Sequence, residues 1–149
     1  MLAAPQHTYL CLTKRGSRLV ADPDLPVVAS QVPRLWIGMS AWDGPSIDEA
    51  LLASREIPGV GLHRWLSIEP LLGDPVESIG LTAGGIPGCC GSLRTVDQVV
   101  VGPETGPGRR PCPESWIHTI ELACGAAGVP CWRKDTGTGR LAWRETPHA

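Results

Sequence analysis

The sequence predicts an α/β protein: a partial (β/α) barrel-like or open, mainly parallel sheet of about five strands with flanking helices. Three observations predict it. Strand-like apolar runs alternate with segments of helical periodicity, which is the pattern of βα units. The run Val99–Val101 has no polar alternation, as expected of a parallel strand covered on both faces. The chain has 149 residues, enough for one domain, whereas a closed eight-stranded barrel takes about 250.

The elements follow in chain order. Thr8–Thr13 is a compact apolar run that reads as the first strand. Arg15–Ala21 reads as a short helix, ended by Asp22-Pro-Asp-Leu-Pro26 because proline disfavours helix in the residue before it. Leu35–Ser40 is the second strand. Ser46–Arg55 is a helix, with Ser46 as N-cap, Glu49 completing a capping box and Ile47, Ala50 and Leu51 on one face. His63–Glu69 is the third strand, and Pro70 follows at once. Gly73–Thr95, rich in Gly and carrying Cys89-Cys90, reads as a long irregular excursion. Val96–Gly102 is the fourth strand. Pro113–Ala127 is the best helix, with Trp116, Ile120, Ala123 and Ala127 as its apolar stripe and Gly128 at the C-terminal cap position. Val129–Arg133 is a fifth strand. Residues 138–149 read as a loose C-terminal tail after a domain spanning 5–137.

Composition narrows the function classes. Hydrophobic residues make up 42% and charged residues 19%, which fits a globular chain. With no Phe, one Tyr and six Trp, tryptophan must supply most of the aromatic packing. A net charge of -2 does not indicate nucleic-acid binding, although Lys14, Arg15 and Arg18 form a local basic group. No apolar run approaches the roughly 20 residues that span a bilayer, and Met1–Gln6 lacks the basic and apolar regions of a signal peptide. A cytoplasmic location is the default expectation. The six cysteines include no C-x-x-C unit, so reduced, structural thiols are expected rather than a zinc site. The four histidines show no metal-ligand spacing, and no nucleophile elbow or phosphate-binding P-loop is present.

Ligands in parallel α/β sheets are held at the carboxyl ends of the strands. Lys14, Ser40, Glu69, Glu104 and Lys134 fall at such ends, and Arg109 follows Glu104 in a Gly/Pro-rich turn. These six are the candidate ligand-binding residues; no catalytic residue is assigned. Glu69 can bind a cation or act as a base, or serve structurally by pairing with Arg64 or Lys14. Arg109 and Arg110 can clamp a phosphate or carboxylate. Lys14 and Lys134 can each contact an anion.

Five blocks, in order, resemble the phage protein family named after gene products thirty-seven and sixty-eight, a domain family of unknown function. They are Pro5–Thr8 with Leu12–Arg15; Leu35–Ser40; Leu66–Gly73; Val99–Gly102 with Glu104–Pro111; and Ala126–Pro130 with Lys134. The resemblance implies a barrel similar to radical S-adenosylmethionine enzymes, of which this chain matches the C-terminal portion. An iron–sulfur cluster and S-adenosylmethionine are implied for full-length relatives, whose Cys-rich cluster motif has no counterpart here, so no cofactor is expected in this chain. The chain also has Gly102-Pro103-Glu104 where the family tends to Gly-Gly-Glu; Pro103 removes a backbone donor there.

Two functions are therefore expected as alternatives. One is an anion- or nucleotide-like ligand site on the strand ends, completed by a separately encoded N-terminal segment. The other is a non-catalytic, truncated family member acting as an interaction module, since open sheet edges invite pairing with another chain or self-association.

Overall fold

The computed structural model describes residues 4, 6–59, 61–76 and 93–134. Five strands, β1 (Tyr9–Thr13), β2 (Leu35–Ala41), β3 (His63–Ile68), β4 (Gln98–Val101) and β5 (Cys131–Arg133), form one sheet. Its order is β1-β2-β3-β4-β5 and every neighbouring pair is parallel. The sheet is open, not closed into a barrel. The helices are α1 (Gly16–Val20), α2 (Leu25–Gln31), α3 (Gly44–Glu56) and α4 (Glu114–Ala127). Strands laid down in sequence order with crossovers of one hand put the connecting helices on one face. Accordingly α3 packs on β2 and β3, and α4 on β4 and β5.

Register separates the two faces. Leu35, Ile37, Met39, Leu66, Ile68, Val99 and Val101 point to the helices, join the core with Ile47, Leu51, Ile117 and Ile120, and are buried. The alternate residues face away. On β1 they are Leu10 and Leu12, which stay about half exposed at 46% and 51%. Across the sheet from them lie Trp36, Gly38 and Ser40, then His63, Trp65 and Ser67, then Gln98 and Val100, then Trp132. Trp36 stacks on His63 with ring centroids 4.5 Å apart. The Trp65 indole lies over Gly38, where an added Cβ would sit 2.2 Å from its ring. Only glycine lets that indole lie flat on the sheet.

Several boundaries and one whole element differ from expectation. α2 was not foreseen, because Pro26 was read as a terminator. It stands instead in the first helical turn, where its missing N–H costs nothing. The cap of α3 lies three residues earlier than expected. Asp43 is the N-cap, and its carboxylate accepts from the Ser46 amide at 3.0 Å. The Ser46 hydroxyl accepts in turn from the Asp43 amide at 3.0 Å. The capping box is thus Asp43–Ser46 rather than Ser46–Glu49, because Gly44-Pro45 suits the first turn. α4 and its cap match: Gly128 adopts φ 72° and donates back to Cys124 and Gly125. Of the expected irregular segment Gly73–Thr95, residues 77–92, with Cys89 and Cys90, lie outside the described residues, as does the expected tail. Among the described residues, no helix is long and apolar enough to cross a membrane.

Candidate functional site

All five strands run the same way, so their carboxyl ends form one rim. The segment after β3 is tied down there. Glu69–Pro70 is a cis peptide. The Leu71 amide donates to Gly102 O at 2.9 Å, at the end of β4, and the Leu72 amide to Trp42 O at 2.6 Å, beyond the end of β2. Leu71 is fully buried. These bonds fix the backbone that carries Glu69.

β5 leaves the sheet beside β4, with the Lys134 amide donating to Val101 O at 2.8 Å. A Cβ at position 102 would lie 2.9 Å from that of Lys134. Gly102 therefore lets Lys134 pass close over the end of β4. The Lys134 ammonium then reaches across to the Glu69 carboxylate and forms a partly buried ion pair with it. This pair joins the ends of β3 and β5 above β4. Just inside it on the open face lie Ser40 and Ser67, directly opposite each other in register, with Ser67 buried.

Glu104 is held on the next loop by Arg110. The Arg110 guanidinium grips both carboxylate oxygens, at 2.9 and 2.6 Å, and its amide donates a further bond at 2.8 Å. These contacts hold the Glu104 carboxyl at a pKa of about 2, far below its ordinary 4.5. Glu114, at the start of α4, makes a second two-point pair with Arg133, and this bonding lowers its pKa as well. Between the two pairs lies an open cleft of about 360 Å³, also lined by Arg109 and Cys112. Burial raises the Cys112 thiol's pKa, which keeps it protonated and poorly nucleophilic.

At the other end of the rim, the Lys14 ammonium sits 5.9 Å from the Trp42 ring centroid, within the range of a cation–π contact. Lys14, Trp42 and Ser40 line a recess of about 20 Å³ with Thr13 and Glu49, room for about one water.

The six candidate residues thus fall into three groups along one rim: Lys14 with Ser40, Glu69 with Lys134, and Glu104 with Arg109. Glu69 pairs with Lys134 and not with Arg64, whose guanidinium donates to the carbonyls of Leu62, Ile57 and Gly59. Arg110, not Arg109, is the partner of Glu104. Sequence reasoning missed Ser67, Arg133 and Glu114. Ser67 was findable, since it lies two residues before Glu69 and strand side chains alternate. Arg133–Glu114 carried no local signal, because the two are 19 residues apart. Among the described residues, no three His, Cys, Asp or Glu side chains gather as metal ligands would.

No curated protein and no solved structure matches the chain. A family described as protein of unknown function, DUF5131, matches it over residues 1–148. The rim described above is therefore a feature of a chain that belongs to the DUF5131 family of proteins of unknown function.

Proposed function

We propose that the strand-end rim binds a small anionic or nucleotide-like ligand. Lys134 and Arg109 are the anion contacts; Glu69 holds Lys134 in place, and Glu104, by binding Arg110, ties the loop that carries Arg109. One observation carries this reading: the Glu69–Lys134 pair, built from two strand ends across a glycine and fixed by the bonds of Leu71 and Leu72. A partly buried carboxylate–ammonium pair is costly to desolvate. A ligand carrying an anionic group offers Lys134 a second partner without breaking the frame that holds Glu69. Lys14 and Ser40 extend the same rim towards β1.

The five sequence blocks support a finer identity for this module: the C-terminal part of a phage- or prophage-type, radical-S-adenosylmethionine-like barrel. The sequential, all-parallel strand order fits the wall of such a barrel. No described cluster of side chains fits an iron–sulfur centre, so no step is assigned to one. Free thiols at Cys11, Cys112, Cys124 and Cys131 agree with a cytoplasmic setting.

Calorimetric titration with adenosine triphosphate and with inorganic phosphate tests the site. Saturable binding that weakens about tenfold or more in Lys134→Ala and in Arg109→Ala is expected, since a charged contact is worth about 1.5–3 kcal/mol. Equal affinity in wild type and both variants overturns it.

A further inference from the structure

The strand-end rim carries one aromatic ring that the proposed anion contacts leave unused. Among the described residues, Trp36, Trp65, Trp116 and Trp132 are half-buried, whereas Trp42 is exposed, at 37%. It follows β2 directly, at the carboxyl end of that strand. Its backbone is held from both sides. The Trp42 amide donates to the Ser46 hydroxyl at 2.9 Å, and the Trp42 carbonyl accepts from the Leu72 amide at 2.6 Å. These bonds tie the residue to the start of α3 and to the segment that carries Glu69. An indole on so fixed a backbone has little freedom left to lose when a flat ring settles on it.

We propose that Trp42 is the stacking platform for the base of a nucleoside diphosphate or triphosphate whose phosphates lie along the rim towards Lys134. The proposal rests on the rim's taking an anionic ligand and names the class of that ligand. Chemistry is the first reason. An exposed aromatic ring beside ammonium groups suits a molecule that is flat at one end and anionic at the other, because any base offers a π-face to the ring. The Lys14 ammonium sits 5.9 Å from the Trp42 ring centroid, near the outer limit of about 6 Å for a cation–π contact. An ammonium held so loosely can turn to a phosphate while the indole takes the base. Spacing is the second reason. β2 and β5 stand three strand spacings apart, about 14 Å. An extended nucleoside diphosphate or triphosphate is long enough to run from one strand end towards the other, and inorganic phosphate is far too short.

Calorimetric titration of the full chain with adenosine diphosphate and with pyrophosphate, which lacks the base, tests the proposal. Adenosine diphosphate is expected to bind about tenfold more tightly, the advantage typical of one stacked base. Trp42→Ala removes that advantage, and Trp42→Tyr, which keeps an aromatic ring, retains most of it. Both ligands are measured on the same variant, so a loss of folded protein affects the two alike and leaves their ratio readable. Equal affinity for the two ligands in wild type overturns the stacking role and leaves the anion site standing. An advantage that persists in Trp42→Ala does the same. Binding of neither ligand removes the anion site and the stacking role together.

Discussion

Glu69 shows what a single residue contributes here and what sequence alone tells about it. Its place at a strand end was legible, because an apolar run stops at Glu69-Pro70. Its partner was not. Arg64 and Lys14 were the near candidates, but Arg64 is spent on three backbone carbonyls and Lys134 lies 65 residues away. Only the β3-β4-β5 order brings it close. The close pass of Lys134 over Gly102 is testable. Gly102→Ala puts a methyl 2.9 Å from the Lys134 Cβ, and such overpacking costs about 1–3 kcal/mol. A urea denaturation midpoint below wild type is the expected result. Glu104 gives a pH prediction. Its pKa is lowered, so the stabilisation from Arg110 is fully present above the unfolded value of 4.5 and is lost as pH falls through about 2. Carboxyl NMR titration should find a midpoint near 2 for Glu104 in wild type, moving back towards 4.5 in Arg110→Ala.

At the scale of elements, all five strands were legible to within a few residues. Each is an apolar run bounded by Gly, Pro or charge, and a buried parallel strand has few other ways to be written. Helices α3 and α4 were legible from their 3.6-residue stripes. α2 was not, because its proline was weighed as a stop and not as a first-turn residue. The cap of α3 was displaced for a related reason. Ser46 does bond at the helix start, but from inside the helix, as the returning half of the box that Asp43 begins. Asp43→Ala removes that cap and leaves the Ser46 amide unsatisfied. It should cost about 1 kcal/mol, read as a lower thermal midpoint with unchanged α/β circular dichroism. Glu49→Ala should leave the midpoint near wild type, which separates the observed box from the one expected at Ser46–Glu49.

At the scale of the whole molecule, the order of strands decides both surfaces of interest. Among the described residues, five parallel strands in sequence order gather their carboxyl ends on one rim and carry α3 and α4 on one face. The rim collects Lys14, Ser40, Glu69, Glu104, Arg109 and Lys134, and the face turned away from α3 and α4 collects Trp36, Trp65 and Trp132. The sequence could indicate the rim, since each block ends in a polar residue. It could not divide the rim into its three groups, because that depends on which loops cross over which strands. Nor could it single out the face turned away from the helices, because Trp36, Trp65 and Trp132 lie on three separate strands and converge only through register.

On the proposed function, the rim takes up its small anionic ligand around Glu69 and Lys134. Amide chemical-shift mapping during titration with adenosine diphosphate tests it most directly. Saturable shifts confined to the carboxyl ends of β1–β5 and the Glu104–Arg110 loop, and lost in Lys134→Met, are expected. Absence of saturable shifts, or shifts centred on Arg15 and Arg18 that persist in Lys134→Met, would contradict it.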